Sequence, residues 1–461
     1  MTSENGHAKM GQRFGQESFQ AMRVQVQWIL VCIGIALGAQ SALAESAIPN
    51  GPISVLQPED TAGDPTNLSQ QIAQLRSQGS AGLQRFLQDH AQELKATTGL
   101  PTPTLRKQLD ALCKQRDCHA SQLYWHTDFA KAQAAAKASN KPILSLRLLG
   151  NLDDELSCAN SRFFRVALYP NAQVSQYLRD RFVLHWQSVR PAPVMTIDFG
   201  DGRQIKRTVT GNSIHYVLNA DGQPIEALPG LYGPQAFLQH LQRADELWQQ
   251  TANLNESDRQ QALQTYHQRR LEAIQSAWVQ NLQTAGIEDV PALQTLPTSN
   301  APTAIDAAPI AVGKAMVEIP LVSSAMSLSM LANQNRTQLD QATEPQTWGK
   351  LAGFHADLAR LDENSKSLMR SKHTAYRAPE QLAKTVQNFE QAMAIDTVRN
   401  EYLLHSRLHQ WFVEANRTGT IDQLNEKVYA ELFLTPSSDP WLGLVSPDIY
   451  SAIEGDGIQL Q

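Results

Sequence analysis

The stretch from Lys141 to Arg190 constrains the fold of this chain more than any other. It opens with a short apolar run of strand length, Pro142 to Leu149. A single cysteine, Cys158, follows, and an apolar face at helical spacing then leads into a second apolar run, Phe182 to Trp186. This succession of strand, cysteine at a helix start, helix and strand predicts a βαβ unit.

The same stretch resembles the extracytoplasmic thioredoxin-like proteins. Those proteins have an apolar strand after Lys-Pro, a Cys-x-x-Cys motif, a helix, and then a valine followed by a Phe-Val pair. Cys158 matches the first cysteine of that motif and Ser161 matches the second. Without a gap, Val174 then matches the valine and Phe182-Val183 matches the Phe-Val pair.

Further elements of the family agree in order on both sides of this motif. The resemblance covers roughly Leu123 to Leu247 and implies an α/β thioredoxin-like domain flanked by mostly α-helical regions. The lead-in matches at Trp125, Asp128, Phe129 and Ala130 to Ala138, and the ending matches at Tyr216 to Leu218, Asp221-Gly222, Pro224-Ile225, Gly230 and Phe237 to Leu241.

Three departures from the family affect the implied activity. Ser161 replaces the second cysteine, whereas a dithiol oxidoreductase needs two sulfurs because the second resolves the mixed disulfide. Ser213 stands at the position of the family's cis-proline. The segment between the first strand and Cys158 is several residues longer than usual and carries the acidic run Asp153 to Glu155.

Cys158 is the candidate nucleophile. Ser157 is placed to cap the next helix, and backbone N–H groups in a first helical turn favour a thiolate, as would Arg162 and Arg165. The acidic run Asp153 to Glu155 opposes this effect. The sequence leaves two hypotheses, a monothiol disulfide-exchange protein and a non-catalytic protein-interaction module. An exposed Cys158 would favour the first, and a buried one would favour the second.

The N-terminal part predicts export. Val24 to Ala39 is almost entirely apolar, with Arg23 before it and Ala42-Leu43-Ala44 after it. This pattern is typical of a secretory signal peptide cleaved after Ala44. The alternative is an uncleaved membrane anchor, although the run is shorter than the ~20 residues of a comfortable span. We therefore expect a periplasmic or secreted protein that meets the membrane only if cleavage fails.

Charge and motifs narrow the classes of partner. The chain has 39 Lys and Arg against 45 Asp and Glu, a net charge of −6, which argues against nucleic-acid binding. It contains no Walker loop, dinucleotide fingerprint or GxSxG motif. We expect no cofactor, and a protein partner or a thiol or disulfide substrate.

Two of the remaining cysteines lie close together. Cys32 would leave with the signal peptide, so Cys113, Cys118 and Cys158 would remain in an oxidising compartment. Their spacing predicts a disulfide between Cys113 and Cys118. That bond would be either a structural clip, which we favour, or a redox pair that exchanges with Cys158.

One histidine pattern stands outside the thioredoxin-like region. Glu401, His405 and His409 lie four residues apart on one helical face, and two such histidines can bind zinc with a third ligand. Ser406 stands where the HExxH motif has glutamate. We favour a solvated or partly packed face and predict no metal. His185 and His215 lie in apolar strand runs and are expected to be packed in the core.

Composition and periodicity divide the chain into five parts. A helical pattern dominates outside the thioredoxin-like region, and a Pro- and Ala-rich stretch interrupts it. The predicted parts are a signal peptide (1–44), a helical or disordered N-terminal region (45–119), the thioredoxin-like domain (120–250), a long helix and Pro/Ala-rich linker (251–310), and an α-helical C-terminal domain (311–461).

Overall fold

A mixed five-stranded sheet lies at the centre of the fold. The structure is a computed structural model that describes residues 65–96, 100–208, 211–288, 345–373, 378–414 and 419–442, with a few isolated positions beyond them. The strands are β1 (Trp125–His126), β2 (Ile143–Leu149), β3 (Val183–Arg190), β4 (Val194–Asp198), β5 (Gln204–Thr208), β6 (Ser213–Leu218) and β7 (Pro224–Pro229). The central sheet has the order β1-β3-β2-β6-β7.

The sheet is parallel on one side and antiparallel on the other. β3 runs parallel to β1 and to β2, whereas β6 is antiparallel to β2 and β7 is antiparallel to β6. All seven residues of β2 are buried, as expected for a central strand covered on both faces. The two strands predicted from the apolar runs at 142–149 and 182–186 are confirmed as β2 and β3.

Helices precede the sheet and connect its strands. The N-terminal helices are α1 (Pro65–Ser77), α2 (Ser80–Asp89), α3 (Ala91–Ala96), α4 (Pro103–Cys113) and α5 (Cys118–Ser121). The helices between strands are α6 (Phe129–Ser139), α7 (Ala159–Phe163), a π-helical turn (Phe164–Leu168) and α8 (Ala172–Arg181).

More helices follow the sheet. They are α9 (Pro234–Thr251), α10 (Glu256–Thr284), α11 (Pro345–Phe354), a 3-10 turn (Ala356–Ala359), α12 (Glu363–Lys372), α13 (Pro379–Arg399), a π-helical turn (Asn400–His405), α14 (Ser406–Glu414), α15 (Ile421–Lys427) and a last π-helical turn (Val428–Leu432). Apolar residues recur at helical spacing from Ala236 to Gly286, which predicts one long helical tract. It is instead two helices, because Asn255 caps α10 by accepting a hydrogen bond from the Asp258 N–H at 3.0 Å.

The C-terminal helices share a core with the sheet. Tyr402, Phe412 and Tyr429 belong to the same buried cluster as the residues of β2, β3 and β6. Apolar residues at helical spacing in this region predict a core face of Tyr402, Leu403, Leu408, Trp411 and Phe412, and all of them are buried except Leu403, which is partly buried. A smaller cluster joins α2 and α4 around the Cys113–Cys118 disulfide.

Strands β4 and β5 form a separate antiparallel hairpin between β3 and β6. Its side chains are largely exposed, among them Val194 (45%) and Phe199 (53%). The sequence analysis missed this element, although Asp201-Gly202 between two alternating runs is a hairpin signal.

Several predictions fall outside the described residues. The signal peptide (1–44), the polar lead up to residue 64 and the Pro/Ala-rich linker from residue 294 onward all lie there. Within the part of the chain that is described, no helix combines the length and apolar character needed to cross a membrane.

Candidate functional site

Cys158 lies at the carboxyl end of the central strand. Its backbone N–H donates to the carbonyl oxygen of Leu149 at 3.0 Å, and Cys158 itself is the N-cap residue of α7. The expectation that Ser157 caps this helix is therefore wrong by one residue. The thiol stands before the first turn of the helix and not inside it.

The residue at the resolving-cysteine position makes polar contacts of its own. The Ser161 hydroxyl lies 2.7 Å from the Ser157 hydroxyl and 2.8 Å from the carbonyl oxygen of Cys158. Arg165 is also buried and lies 3.4 Å from the Ser157 hydroxyl. The structure therefore brings Cys158 and Ser161 together, as the Cys-x-x-Ser spacing predicts.

The Cys158 thiol is fully buried, at 0% exposure. Cys158 belongs to the same buried cluster as Tyr169 and Tyr429. Burial, and then the coulombic effect of Cys158, raise the pKa of both phenols well above 10. Tyr429 belongs to the last π-helical turn, and its hydroxyl donates to the Asn212 carbonyl oxygen at 3.3 Å. The C-terminal segment thus helps to close the space around Cys158.

Ser213, at the cis-proline position, lies at the same end of β2. It is the first residue of β6 and pairs with Leu148 of β2. The next residue, Leu149, accepts the backbone hydrogen bond from Cys158. The Ser213 carbonyl oxygen accepts a hydrogen bond from the Gly230 N–H at 2.9 Å. Its buried hydroxyl has no hydrogen-bond partner among the described residues.

The acidic run before Cys158 is paired with cations from the disulfide loop. Lys114 lies 3.4 Å from Asp153, and Arg116 forms an ion pair with Glu155. Both cations lie between Cys113 and Cys118, which are bonded to each other. Among the described cysteines Cys158 alone is free. The disulfide belongs to the smaller core cluster and Cys158 to the main one.

A second group of chemically active residues lies at the β7 edge of the sheet, and all of its members except the partly buried Glu401 are buried. We call it the histidine–glutamate cluster, and it comprises Glu226, His240, His267, Glu401, His405 and His409. Glu226 lies on β7, His240 on α9 and His267 on α10, while the others come from the π-helical turn after α13 and from α14. Single π-helical turns inside α-helices occur frequently at functional sites.

His405 holds the cluster together. Its Nδ1 lies 2.8 Å from Glu401 Oε2, and its Nε2 lies 3.3 Å from Glu226 Oε1. Burial by itself lowers the pKa of His405, but the charge of Glu401 and the hydrogen bonds to both carboxylates outweigh it and raise the pKa to about 9. His405 is therefore a buried cation between two carboxylates.

The other histidines of the cluster are neutral. Burial lowers the pKa of His240 to about 3 and that of His267 to about 4. Burial and then the charge of His405 lower the pKa of His409 well below its usual value. Three neutral imidazoles therefore surround one imidazolium.

The sequence analysis found half of this cluster and misjudged its surroundings. Glu401, His405 and His409 do lie together, but the interpretation as a solvated or partly packed face is wrong for both histidines, which are fully buried. Glu226 was missed, although a glutamate inside the apolar run from Pro224 to Pro229 is a signal. His185 and His215 are packed in the core, as expected.

Comparison with known proteins adds no relative. No protein-family model matches this chain, and neither a curated protein nor a solved structure matches it.

Proposed function

We propose that this chain is a thioredoxin-like protein of the cell envelope that acts as a non-catalytic protein-interaction module. Within this proposal the thioredoxin-like site is a remnant that stabilises the fold. The signal-peptide pattern supports the location, because the pattern in residues 24–44 is typical of exported proteins.

The thioredoxin-like part of the proposal is supported by topology. In the strand order β1-β3-β2-β6-β7 a parallel β1, β3, β2 half meets an antiparallel β6, β7 half, as in that family. Cys158 and Ser213 lie at the carboxyl end of β2, where the family has its first cysteine and its cis-proline.

The burial of Cys158 carries the non-catalytic part of the proposal. Disulfide exchange requires in-line attack by a thiolate on a substrate sulfur, so the thiol must be reachable. Cys158 is fully buried, and Ser161 offers no second sulfur. A thiol at this position contributes packing, as free buried cysteines commonly do.

The β4–β5 hairpin offers a surface for a partner. It projects between β3 and β6 as a two-stranded sheet, and each of its strands has one edge that no other described strand covers. Val194 and Phe199 expose apolar side chains on it. Isolated hairpins are marginally stable in water and pair readily with an added strand.

Alkylation of Cys158 tests the proposal directly. In the full chain carrying Cys32→Ser, native Cys158 should react with a maleimide only as fast as the protein opens, and it should react at once in denaturant. The matched control adds Ser139→Cys, which places an exposed thiol at the end of α6 and should label at the rate of a free thiol. Labelling of native Cys158 at that same rate would favour monothiol exchange instead.

Complementation tests the interaction itself. In a strain lacking the gene, Cys158→Ala should restore function fully, because the thiol only packs. A chain with Val194→Asp and Phe199→Asp should fold normally and fail to complement, because it places charges on the exposed hairpin. Full loss of function in Cys158→Ala with a wild-type melting temperature would refute the interaction module.

A further inference from the structure

Three residues of the histidine–glutamate cluster meet from three separate elements. Glu226 extends from the edge strand β7, His267 from α10 and His409 from α14. One potential ligand atom from each lies within 4.8 Å of the other two. All three side chains are buried, with exposures of 2%, 1% and 0%.

The two histidines face each other through their nitrogens. Nδ1 of His267 lies 2.8 Å from Nδ1 of His409. Two neutral imidazoles can make this contact only if one Nδ1 carries a hydrogen and the other does not. A cation bound by both rings would satisfy the two lone pairs without that constraint.

The second nitrogen of each ring remains a hydrogen-bond donor when Nδ1 is the metal ligand. The backbone of Ile225 makes a hydrogen bond with the His267 ring, and Nε2 of His409 has no partner among the described residues. Metal-bound imidazoles commonly donate this second N–H to a carbonyl, a carboxylate or water.

We propose that Glu226, His267 and His409 bind one divalent transition-metal ion, with Zn²⁺ the expected occupant. Two imidazoles and one carboxylate form the donor set of three-ligand zinc sites, in which a fourth position stays open to water or another ligand. Bond lengths near 2.1 Å place tetrahedral ligand atoms about 3.4 Å apart, so atoms at the 4.8 Å limit would approach by about 1.4 Å and the two Nδ1 atoms at 2.8 Å would separate by about 0.6 Å.

Residues around these three provide the supporting hydrogen bonds that metal ligands require. The Tyr266 hydroxyl donates to Glu226 Oε2 at 2.7 Å, and the Ala227 N–H donates to Glu226 Oε1 at 2.9 Å. Together with His405 they fix the carboxylate in place. Such outer partners orient ligands and raise metal affinity.

The neighbouring group His240, Glu401 and His405 is a poorer site. Arg270 already contacts Glu401 Oε1 at 2.9 Å, and Arg243 lies 2.9 Å from His240 Nδ1. These two arginines balance Glu401 and would repel a metal ion. His405 contacts a carboxylate of both groups and does not distinguish them. No described arginine forms a hydrogen bond or an ion pair with the other three residues.

The proposed ion would tie the C-terminal helices to the sheet. His409 lies on α14, which packs along α10, and Glu226 belongs to the last strand of the central sheet. A bound metal stabilises the folded state by mass action, since the unfolded chain lacks the preformed site. Metal removal should therefore lower the melting temperature.

Cobalt substitution tests the site in the full chain. Protein carrying an affinity tag without histidine is unfolded with chelator, refolded with Co²⁺, and measured by visible absorption and metal analysis. We expect one equivalent of Co²⁺ with the intense absorption of a four-coordinate ion. His267→Asn and His409→Asn should lose it, and His90→Asn, outside the cluster, should keep it.

Two measurements on the wild-type chain test the site even if the histidine variants fail to fold. The zinc X-ray absorption spectrum should show a first shell of nitrogen and oxygen with two imidazoles, and added Zn²⁺ should raise the melting temperature. Wild-type protein that binds no Co²⁺ or Zn²⁺ after refolding would overturn the proposal. So would a sulfur ligand, or full binding by both folded histidine variants.

Discussion

Ser161 has a local role that differs from the role of a resolving cysteine. Its hydroxyl lies within hydrogen-bond distance of Ser157 and of the Cys158 carbonyl oxygen, and it is fully buried. Each such hydrogen bond stabilises a fold by about 1 kcal/mol. The side chain therefore belongs to the packing of the α7 start, in the same way as the Cys158 thiol beside it.

Restoring the second sulfur should not restore reductase activity. Ser161→Cys recreates the Cys-x-x-Cys spacing, but a substrate disulfide still cannot reach either sulfur through the buried surroundings of Cys158. Turnover in an insulin reduction assay should stay at the wild-type baseline. Ser161→Ala is the matched control and should be equally inactive. Reductase turnover well above baseline in Ser161→Cys would mean that Cys158 is reachable and would favour the disulfide-exchange hypothesis.

At the scale of elements, the disulfide loop and the loop before Cys158 support each other. The loop between Cys113 and Cys118 supplies Lys114 and Arg116 to the acidic run. The carbonyl oxygen of Lys114 also accepts a hydrogen bond from Trp186 Nε1 at 2.7 Å, which ties the loop to β3. The disulfide therefore fixes a loop that contacts the sheet.

Loss of this disulfide should destabilise the fold without altering any activity of Cys158. A bond that closes a loop of this length contributes about 2 kcal/mol in the chain-entropy model. The double variant Cys113→Ser and Cys118→Ser should show a lower midpoint in urea unfolding, and reduction of the wild-type bond should reproduce the shift. An unchanged midpoint would argue against the structural clip. A disulfide between Cys158 and the remaining cysteine in a Cys113→Ser or Cys118→Ser single variant would instead support a redox link between the sites.

The sequence predicted those elements of the fold whose formation depends on residues close together in the chain. The central strand and the position of Cys158 at a helix start follow from apolar runs and helical spacing. The break at Asn255 was missed because a capping residue was weighed less than the continuous periodicity around it.

Only part of the histidine–glutamate cluster could be predicted from the sequence, and the reason is different. Glu401, His405 and His409 are spaced by one helical turn, so the sequence brings them together. Glu226 and His267 are distant in sequence, and only the packing of β7 against the π-helical turn at 400–405 and of α10 against α14 places them there. Periodicity reveals which face a residue shares within a helix, but it does not reveal what packs against that face.

At the scale of the whole molecule, the C-terminal helices complete the core of the sheet. Buried residues of both belong to one cluster, and long-range hydrogen bonds join them. The Asn400 side chain donates to the Leu231 carbonyl oxygen at 2.7 Å, and the Gly233 N–H donates to Thr397 at 2.8 Å. Gly233 also lies so close to the backbone of Leu358 and Ala359 that a Cβ there would clash.

This shared core predicts that the two parts of the chain fold only together. A fragment of residues 45–300 leaves the faces of β7 and α10 without α13 and α14, and each large apolar side chain exposed costs about 1.5–3 kcal/mol. Alone it should aggregate or bind a hydrophobic dye.

Co-expressed with residues 330–461, the fragment should elute from a sizing column as a one-to-one complex. This complex should show a single cooperative unfolding transition. Replacing Gly233 with Leu in the first fragment should weaken that complex, because the side chain would push α9 away from Leu358 and Ala359. Gly353→Leu in the second fragment is the matched control and should not, because no atom lies near its Cβ position. If residues 45–300 alone melt at the temperature of the intact chain, the C-terminal helices form an independent domain and the shared core contributes little.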